Sequence, residues 1–389
     1  MIVAGESSGE LYGAYLTTSI KASFPGARII GVGGARMETA GAELISRISS
    51  VFGIFAVIRT YRDLKSTFRK AVHALTAFRP QVLVLIDYPD FNLRLAAEAK
   101  KKGIKILYYV SPQIWAWRKG RIHTISRLVD KMAVILPFEE EIYRETGLPC
   151  EFVGHPVVDE IREIIGREGF GLDDIGSSEL KTHMKRRLGV DASKPVLTIM
   201  PGSRRHEISR LTPVLAQSVA EMKSRYPDYQ FVIPVAPNID KDLFSDVAFP
   251  KECLLVQGQS IESIAAADAG IIASGTSTLQ AALLGVPMAV IYKIFPLTFF
   301  VGRPIIKVKY ISLVNLLLEK SAVDDTGLRI KELLQNEASA RNILSEISRI
   351  IEDRPYRDEM LSQLSKVRAL YRGRGASARV AELVAELCE

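Results

Sequence analysis

Short apolar segments alternate with longer amphipathic segments through most of the chain. In the first half the apolar segments predict five strands: Ile2–Ala4, Ala27–Val32, Val82–Ile86, Ile106–Val110 and Lys131–Leu136. Helix-length amphipathic segments lie between them: Leu11–Ser23, Leu93–Lys102 and Gly120–Leu128. Because parallel strands that are buried on both faces have nearly continuous apolar sequences, this alternation predicts a parallel sheet covered by helices on both sides.

The same alternation returns after a charged, strand-poor segment at Gly166–Lys194, which we interpret as a partly helical linker. Five further strands are predicted: Val196–Met200, Tyr229–Val235, Cys253–Val256, Ala269–Ile272 and Met288–Tyr292. The helices predicted between them are Ser209–Ser224, Ser260–Ala267 and Thr278–Leu284. From Ile330 to Glu389 the sequence has helical periodicity and no strand signal, so this part is predicted to be entirely helical.

These elements predict two similar α/β domains and a helical tail. We expect the domains at 1–170 and 190–350, and the tail at 351–389, crossing back to the first domain. Ligands of open parallel sheets bind beyond the carboxyl ends of the strands. The functional site is therefore expected in a cleft between the two domains.

The composition limits the classes of partner and of protein that are compatible with this sequence. The chain has 51 Lys plus Arg against 44 Asp plus Glu, a net charge of +7 that fits an anionic partner. Charge alone leaves nucleic acid, anionic lipid and phosphorylated small molecules open. No apolar stretch has the ~20 residues of a membrane-spanning helix, and we expect no secretory signal. Cys150, Cys253 and Cys388 are too scattered for a disulfide scaffold or a zinc cluster, which favours a reducing compartment.

A glycine- and serine-containing turn follows the first predicted strand. Gly5, Ser7, Ser8 and Gly9 lie where glycines let a ligand approach the backbone and a helix N-terminus offers unpaired N–H groups. The turn is therefore a candidate ligand-binding loop. A tight turn capped by serine explains the same residues.

Asp87 follows the very apolar predicted strand Val82–Ile86. A partly desolvated carboxylate at the carboxyl end of a buried strand is well placed to act as a general base. A turn stabilised by the Asp side chain is the alternative. Asp90, three residues later, is better placed to cap the next helix.

Both tryptophans of the chain, Trp115 and Trp117, lie in the segment Ser111–Arg118 after another predicted strand. Aromatic side chains beside Gln113 and Arg118 suit contacts with a sugar or an acyl chain. Packing of a large loop explains them equally well.

Two loops of the second half predict anion binding, with a solvated cationic face the alternative for the first and a Ser/Thr cap cluster the alternative for the second. Gly202 and Ser203 precede the cationic pair Arg204 and Arg205 at a strand end, which suits a diphosphate. The second loop is a run of small residues at a helix N-terminus: Ser274, Gly275, Thr276, Ser277 and Thr278. Gln280, on the first turns of that helix, is a candidate contact for a ribose or sugar hydroxyl.

An apolar segment at Val51–Ile58 precedes a run of basic residues: Arg59, Arg62, Lys65, Arg69 and Lys70. This combination suits an anionic bilayer surface that holds acylated molecules. The candidate membrane or acyl contacts are Phe52, Ile54, Phe55 and Trp115. An ordinary core element followed by a solvated helix is the alternative.

Eight stretches of the chain together resemble the lipid-A-disaccharide synthase family over essentially its whole length. They are Ala4–Gly9, Gly31–Met37, Ile86–Asn92, Val110–Arg118, Phe152–Pro156, Pro201–Ile208, Ala273–Leu279 and Tyr310–Asn315. The sequences IDYPDFN and SPQIWAWR are specific to that family, whereas the glycine turns alone are not. The resemblance implies an α/β protein of the GT-B fold, in which two Rossmann-like domains with parallel sheets face a central cleft.

The resemblance also implies a reaction. An inverting glycosyltransferase would transfer 2,3-diacylglucosamine from its UDP derivative to the 6-hydroxyl of 2,3-diacylglucosamine 1-phosphate, forming the β-1,6-linked lipid A disaccharide 1-phosphate and UDP. It implies no metal or other cofactor and no nucleic-acid partner. It places the protein on the anionic cytoplasmic face of the inner membrane of a Gram-negative-type bacterium, and leaves a homodimer open.

The same resemblance implies roles for individual residues. Asp87 matches an essential acid, the general base, and Arg204 matches an essential arginine beside the nucleotide diphosphate. Other matching positions around the UDP-sugar are Glu207, the Ser274–Thr278 loop and Asn315. Three residues differ from those that the family usually has: Glu10 replaces Asp, Gln280 replaces Glu and Val314 replaces Pro.

Two other classes of function remain open on the sequence. An isomerase similar to UDP-N-acetylglucosamine 2-epimerase would share the fold, and only a transferase would release UDP in dependence on a second sugar. A non-catalytic nucleotide-sugar-binding protein would show no turnover, and Asp87 at a strand end argues against it.

Overall fold

The computed structural model describes residues 1–5, 7–47, 54–115, 120–244, 249–294, 309–321, 327–372 and 375–389; the side chains of Ser7 and of residues 54–61 are outside the description. The chain divides into two compact units. The first unit comprises Met1–Asp159 and Gly373–Glu389, and the second comprises Glu160–Arg372. The boundary near residue 160 lies about ten residues before the expected end of the first domain.

The first unit contains a seven-stranded sheet in the order β3-β2-β1-β4-β5-β6-β7, in which every paired strand is parallel. Its strands are β1 (Ile2–Ala4), β2 (Ile30–Gly33), β3 (Glu43–Arg47), β4 (Val82–Ile86), β5 (Lys105–Tyr109), β6 (Lys131–Val134) and β7 (Cys150–Phe152). The helices are α1 (Ser7–Ser23), α2 (Ala35–Thr39), α3 (Ile54–Ala77), α4 (Pro89–Lys101), α5 (Arg121–Leu128), α6 (Glu139–Arg144) and α7 (Pro156–Arg167), which runs across the boundary.

Alternate residues of the central strands face opposite layers of helices. Leu83 and Leu85 of β4 belong to a buried cluster with Leu75 of α3 and Leu95 of α4. Every residue of β4 is buried. Its continuous apolar sequence therefore follows from burial on both faces of the sheet.

The second unit contains a six-stranded sheet in the order β10-β9-β8-β11-β12-β13, again with parallel pairing throughout. Its strands are β8 (Val196–Met200), β9 (Gln230–Val235), β10 (Leu254–Gln257), β11 (Ala269–Ala273), β12 (Met288–Tyr292) and β13 (Glu332–Leu334). The helices are α8 (Ser178–Leu188), α9 (Arg205–Arg225), α10 (Ser260–Ala265), α11 (Thr276–Leu284), α12 (Leu313–Lys320), α13 (Ala340–Glu352) and α14 (Arg354–Leu370). Short 3-10 turns lie at Leu172–Asp174, Lys241–Phe244 and Gln335–Glu337.

The segment Gly166–Lys194, which we interpreted as a linker, lies entirely within the second unit. Helix α8 ends at Gly189, which has a φ of 76°. Lys181 and Lys185 of this helix both bind the Asp268 carboxylate at 2.9 Å. These ion pairs fix α8 against the turn that precedes β11.

The segment from Ile330 to Glu389 contains a strand, β13, near its start. The prediction of an entirely helical segment from Ile330 was wrong, because β13 pairs with β12 through Leu333 and Ile291. The remaining tail is helical, and α15 (Ala376–Cys388) completes it. Helix α14 belongs to the second unit and α15 to the first.

Helix α15 is tied to the first unit by polar contacts as well as by packing on α1. Ser377 donates hydrogen bonds to the Asp159 carboxylate through its amide and its hydroxyl, both at 3.0 Å. Arg379 forms a two-point ion pair with Glu151 of β7. No helix among the described residues is long and apolar enough to cross a membrane.

Candidate active site

The carboxyl edge of the first sheet carries Asp87 in a strained turn. Asp87 and Tyr88 have φ values of 48° and 47°, and Val110 at the end of β5 has a φ of 68°. Left-handed backbone is unfavourable for residues with a β-carbon, most of all for a β-branched one. Such strain persists only where the surrounding structure fixes it, and it clusters at functional sites.

Buried polar groups hold the main chain of Asp87. Its amide donates to the Tyr109 carbonyl oxygen at 3.1 Å. Its carbonyl oxygen accepts hydrogen bonds from the Tyr108 hydroxyl and the Asn92 side-chain amide, both at 2.7 Å. Burial, and then the negative charge of Asp87, raise the pKa of Tyr108 well above its usual value. Asp87 is half-buried, and these contacts fix its main chain at the carboxyl edge of the sheet.

The predicted glycine turn after β1 packs against this site. A β-carbon on Gly5 would lie 2.2 Å from the Tyr88 ring, so only glycine fits beside it. Gly9 is buried, where a β-carbon would make ordinary contacts with Ile86 and Ala4. Ser8 is exposed in the first turn of α1, and the Ser7 side chain is outside the description. The turn thus brings an exposed helix N-terminus to the edge that holds Asp87.

Asp90 and Glu10 have structural partners near the same edge. Asp90, in the first turn of α4, forms an ion pair with Arg121. Glu10 accepts a hydrogen bond from the Arg36 amide at 2.9 Å and thereby caps α2. A β-carbon on Gly34 would lie 2.4 Å from the Glu10 carboxyl group. The longer Glu side chain is therefore accommodated by glycine opposite it.

Trp115 lies in the interior of the first unit. It is 7% exposed, and its ring packs edge-on against Phe138 at a centroid distance of 5.3 Å. Its indole N–H donates to Glu139 Oε1 at 3.0 Å. This is the environment of a core residue, and we no longer include Trp115 among the membrane contacts. Trp117 lies outside the described residues.

Glu139 is a buried carboxyl group that the sequence analysis missed. Burial raises its pKa to about 8, although hydrogen bonds from Trp115 and from the backbone oppose the shift. Its sequence context, an acid directly after the apolar stretch Ile135–Phe138, was the only signal that could have marked it. It lies beneath the loop that follows β5.

The carboxyl edge of the second sheet brings two predicted loops together. Gly202 has a φ of 111°, and a β-carbon there would lie 2.9 Å from Glu207 and 3.8 Å from Ala273 at the end of β11. Arg204 donates to Glu207 at 3.1 Å, while 63% of its side chain stays exposed. The Ser203 carbonyl oxygen accepts a hydrogen bond from Asn238 at 3.4 Å. The guanidinium is thus oriented by Glu207 and still accessible to an anion.

Tyr292 at the end of β12 completes this edge. Burial, followed by the negative charge of Glu207, raises the pKa of Tyr292, while Arg204 opposes the shift. Tyr292 is therefore within electrostatic range of Glu207 and Arg204. No motif in the sequence pointed to Tyr292.

The N-terminus of α11 is open to solvent. Gly275 has a φ of 155°, a β-carbon added to it would have no described atom within 4 Å, and both Gly275 and Thr276 are exposed. Thr278 is buried, and its hydroxyl donates to the Gly275 carbonyl oxygen at 2.8 Å. Ser277 is half-buried, and the Ser274 amide donates to the Ile291 carbonyl oxygen at 2.9 Å. The exposed backbone N–H groups of Gly275 and Thr276 are accordingly available to a phosphate.

Gln280 lies one turn further along α11 and is 8% exposed. Its side-chain amide donates to Glu160 of α7 at 3.1 Å. A carboxylate accepts hydrogen bonds but cannot donate them, so the pairing assigns the NH2 group to Glu160 and leaves the Gln280 oxygen for other donors. Glu160, 120 residues earlier in the chain, had no sequence signal.

Asn315 occupies a structural position in α12. It is fully buried, its amide donates to Ile330 at 2.8 Å and to Glu332 at 2.9 Å, and its oxygen accepts from the Ile330 amide at 2.9 Å. Glu332 also accepts a hydrogen bond from the Ser312 hydroxyl at 2.6 Å. Asn315 therefore fastens β13 to α12, and we no longer expect it to contact a substrate directly.

The predicted membrane segment is only partly described. Phe52 lies outside the described residues, and Ile54 and Phe55 begin α3 with side chains that the description does not cover. Further along the helix, Leu64 and Phe68 pack against the core of the first unit. The cations of this half of the helix lie at positions that are exposed or half-exposed: Arg62, Lys65, Arg69 and Lys70.

Comparison with known proteins gives the family. The family model described as lipid-A-disaccharide synthetase matches residues 1–380. The chain belongs to this family. It is 39% identical to the lipid-A-disaccharide synthase of Geobacter sulfurreducens, with 100% of this chain and 96% of that protein covered. It is 40% identical to the synthase of Trichlorobacter lovleyi, with 100% and 97% covered.

Solved structures with little sequence identity share the fold. A UDP-GlcNAc 2-epimerase from Neisseria meningitidis bound to UDP-GlcNAc matches with a TM-score of 0.63 at 15% identity, covering 99% of both chains. The calicheamicin glycosyltransferase CalG4 matches with a TM-score of 0.60 at 14% identity, covering 99% of this chain and 97% of that one. The predicted GT-B fold is confirmed. Membership of the synthase family makes the chain an enzyme, a glycosyltransferase of lipid A biosynthesis.

Proposed function

We propose that this enzyme transfers 2,3-diacylglucosamine from its UDP derivative to the 6-hydroxyl of 2,3-diacylglucosamine 1-phosphate. The products are the β-1,6-linked lipid A disaccharide 1-phosphate and UDP. The observation that carries this proposal is the contrast between the two sheet edges. One edge presents Asp87 on a main chain that buried polar groups hold, and the other presents Arg204 with an open helix N-terminus.

Asp87 acts as the general base in this proposal. Its carboxylate accepts the proton of the acceptor 6-hydroxyl while that oxygen attacks the anomeric carbon of the donor. The bond from the anomeric carbon to the β-phosphate oxygen breaks on the opposite face, so the configuration inverts. The hydrogen bonds from Tyr108 and Asn92 to the Asp87 main chain keep the base in position through the reaction.

The second unit binds the UDP part of the donor. The exposed N–H groups at Gly275 and Thr276 donate to a phosphate, and Arg204 adds a positive charge that stabilises the leaving diphosphate. Glu207 orients the guanidinium by its hydrogen bond at 3.1 Å. These groups bind most strongly when negative charge develops on UDP, which is the requirement for catalysis.

The test is incubation of the purified protein with both acylated sugars, followed by mass analysis. We expect a disaccharide monophosphate and one UDP for each product molecule. UDP release must depend on the acceptor. Release without the acceptor, together with an epimerised sugar, would instead favour an isomerase.

We further propose that the enzyme works on the anionic cytoplasmic face of the inner membrane through its first unit. Acyl chains keep both substrates in the bilayer, since burial of apolar surface away from water is strongly favourable. Arg62, Lys65, Arg69 and Lys70 on α3 supply attraction to anionic lipid of about 1 kcal/mol for each close cation. The apolar segment Val51–Ile58 directly precedes them.

Replacing both Phe52 and Phe55 by serine tests this surface. We expect weaker binding to anionic vesicles and lower activity on membrane-held substrate, with activity on short-chain substrate retained. Binding should also weaken with salt, since exposed charges are screened over about 8–10 Å. Normal vesicle binding by the double variant would place the contact elsewhere, and loss of folding would show that the segment is core.

A further inference from the structure

The loop Ser111–Trp115 lies at the same sheet edge as Asp87. Strands β4 and β5 are paired up to Ile86 and Tyr109, and the loop begins two residues after Tyr109. Of its five residues only Gln113 is exposed, whereas the other four are buried. The loop therefore presents a single polar side chain at the edge that carries the proposed base.

Helix α6 holds both ends of this loop from the interior. The Tyr143 hydroxyl and Ser111 Oγ share a hydrogen bond of 2.7 Å, and Glu139 Oε1 accepts the Trp115 indole N–H at 3.0 Å. Glu139 and Tyr143 are four residues apart, so they lie on the same face of the helix. We refer to these two side chains as the α6 clasp.

The clasp is an unfavourable arrangement if stability is its sole purpose. Glu139 is 1% exposed, and a buried carboxyl group is costly compared with an apolar side chain of the same size. The chain enters the loop through Val110, a β-branched residue with a φ of 68° whose amide donates to the Ala133 carbonyl oxygen at 3.0 Å. A strained backbone held by buried polar groups points to a required loop position.

We propose that Gln113 contacts the acceptor sugar and that Glu139 and Tyr143 are positioning residues that hold Gln113 beside Asp87. The proposal rests on the proposed function, because it assigns Gln113 to the acceptor of that reaction. A carboxamide both donates and accepts hydrogen bonds, which matches the hydroxyl and amide groups of an acylated glucosamine. The clasp acts from below the loop and does not itself touch the substrate.

The first experiment replaces Gln113 by alanine. We expect the apparent KM for acylated glucosamine 1-phosphate to rise about five- to tenfold, the effect of one lost hydrogen bond. The affinity for UDP and the Tm should not change, because Gln113 is an exposed residue of the first unit. An acceptor KM within twofold of the unaltered enzyme overturns the proposal.

The second experiment tests the clasp. Glu139→Leu should raise the acceptor KM at least as much as Gln113→Ala does. In a Trp117→Phe background it should also shift the fluorescence emission of Trp115. Glu139→Gln keeps an oxygen for the indole N–H and should restore most of the acceptor KM. Glu141→Leu is the matched control, since Glu141 is exposed on the same turn of α6. If Glu139→Leu does not fold, Tyr143→Phe removes the Ser111 contact with a smaller change and should still raise the acceptor KM.

A double variant shows whether the clasp acts through Gln113. Since coupled residues give non-additive effects, Gln113→Ala combined with Glu139→Leu should raise the acceptor KM no further than Glu139→Leu alone. The positioning role is overturned if the two substitutions raise the acceptor KM independently, so that their effects multiply. It is also overturned if UDP affinity falls by the same factor by which the acceptor KM rises. Absence of disaccharide formation by the unaltered enzyme is a separate result, which would refute the proposed function.

Discussion

The carboxyl edges of the two sheets differ in the residues that form their turns and in the backbone conformation of those residues. At the first edge the chain turns on residues that carry side chains, Asp87, Tyr88 and Val110, all with positive φ. At the second edge it turns on glycines, Gly202 and Gly275, with φ values of 111° and 155°. Strained side-chain-bearing residues fix a functional group, whereas glycines expose backbone N–H groups.

This difference matches the chemistry that each edge can perform. In the proposed reaction a general base must lie within hydrogen-bonding reach of one proton, and at the first edge buried polar groups hold the Asp87 main chain. In the same proposal several N–H groups and the Arg204 guanidinium bind the diphosphate, and the second edge leaves these groups exposed. We therefore propose that the first unit carries out proton transfer and that the second binds the phosphates.

The largest effect should come from Asp87→Asn. Loss of a general base lowers turnover by about 10²–10⁴-fold. The fold should be retained, because the Tyr108 and Asn92 hydrogen bonds go to the main chain, which the substitution leaves in place. The measurement is kcat with both acylated sugars. Asp90→Asn is the control, and its kcat should stay within threefold of that of the unaltered enzyme. If the kcat of Asp87→Asn also stays within threefold, Asp87 has no part in the mechanism.

The next effect concerns the diphosphate. Arg204→Ala should weaken UDP binding about ten- to hundredfold, since one charge-assisted hydrogen bond contributes about 1.5–3 kcal/mol. Arg205→Ala is the matched control, because Arg205 is an exposed neighbour with the same charge. Calorimetric titration with UDP compares them. Equal, small changes would place the diphosphate elsewhere.

A smaller effect is expected at Gln280. Gln280→Glu would set two carboxylates about 3 Å apart, and their repulsion should weaken UDP binding several-fold. Adding Glu160→Gln exchanges donor and acceptor within the pair and should restore affinity. UDP titration of both single variants and the double variant measures this. Undiminished binding by Gln280→Glu alone would show that the Glu160 contact does not position this side chain.

The two units should also differ in the pH dependence of their stability. Burial raises the pKa of Glu139 to about 8, so the folded first unit keeps a proton that the unfolded chain releases above the usual glutamate value of 4.5. Its free energy of unfolding should therefore fall between these two pH values, by up to about 1.4 kcal/mol per pH unit.

In the second unit burial alone would raise the pKa of Asp268, but Lys181, the Val196 amide and Lys185 lower it overall. Its contribution is lost only as the pH falls below about 4.

Tryptophan fluorescence reports on the first unit selectively, because both tryptophans lie within its residues. Denaturant unfolding at several pH values should show the fall in stability for the unaltered enzyme and a flatter profile for Glu139→Gln. A slope that Glu139→Gln does not change would assign the effect to another group.

The strands that the sequence missed share one property. β3, β7 and β13 each form an edge of a sheet. Their residues are half-exposed for the most part, so no continuous apolar segment marks them. The central strands, buried on both faces, were found within a few residues. The edge strand β10 was found although it is half-exposed, because its sequence is apolar up to the last residue. The pattern thus reports an apolar segment rather than strand formation itself.

Among the candidate site residues, position on a strand end was predictable and side-chain environment was not. Asp87, Gly202, Arg204 and the α11 N-terminus follow buried strands in the sequence, and the structure places them at the sheet edges. Trp115 and Asn315 belong to equally specific motifs, yet both are buried with internal partners. A motif shows that a residue is constrained but does not distinguish a ligand contact from a structural contact.

The sequence by itself determined that the chain forms two parallel sheets, where their central strands and helices lie along the chain, and the family. These features depend on local periodicity and on short motifs. Tertiary structure alone decided which groups distant in the chain become partners: Glu139 with Trp115, Glu160 with Gln280, and Ser377 with Asp159. The physical reason is that burial, and hence the pKa and hydrogen bonding of a side chain, depends on every element packed around it. No local pattern carries that information.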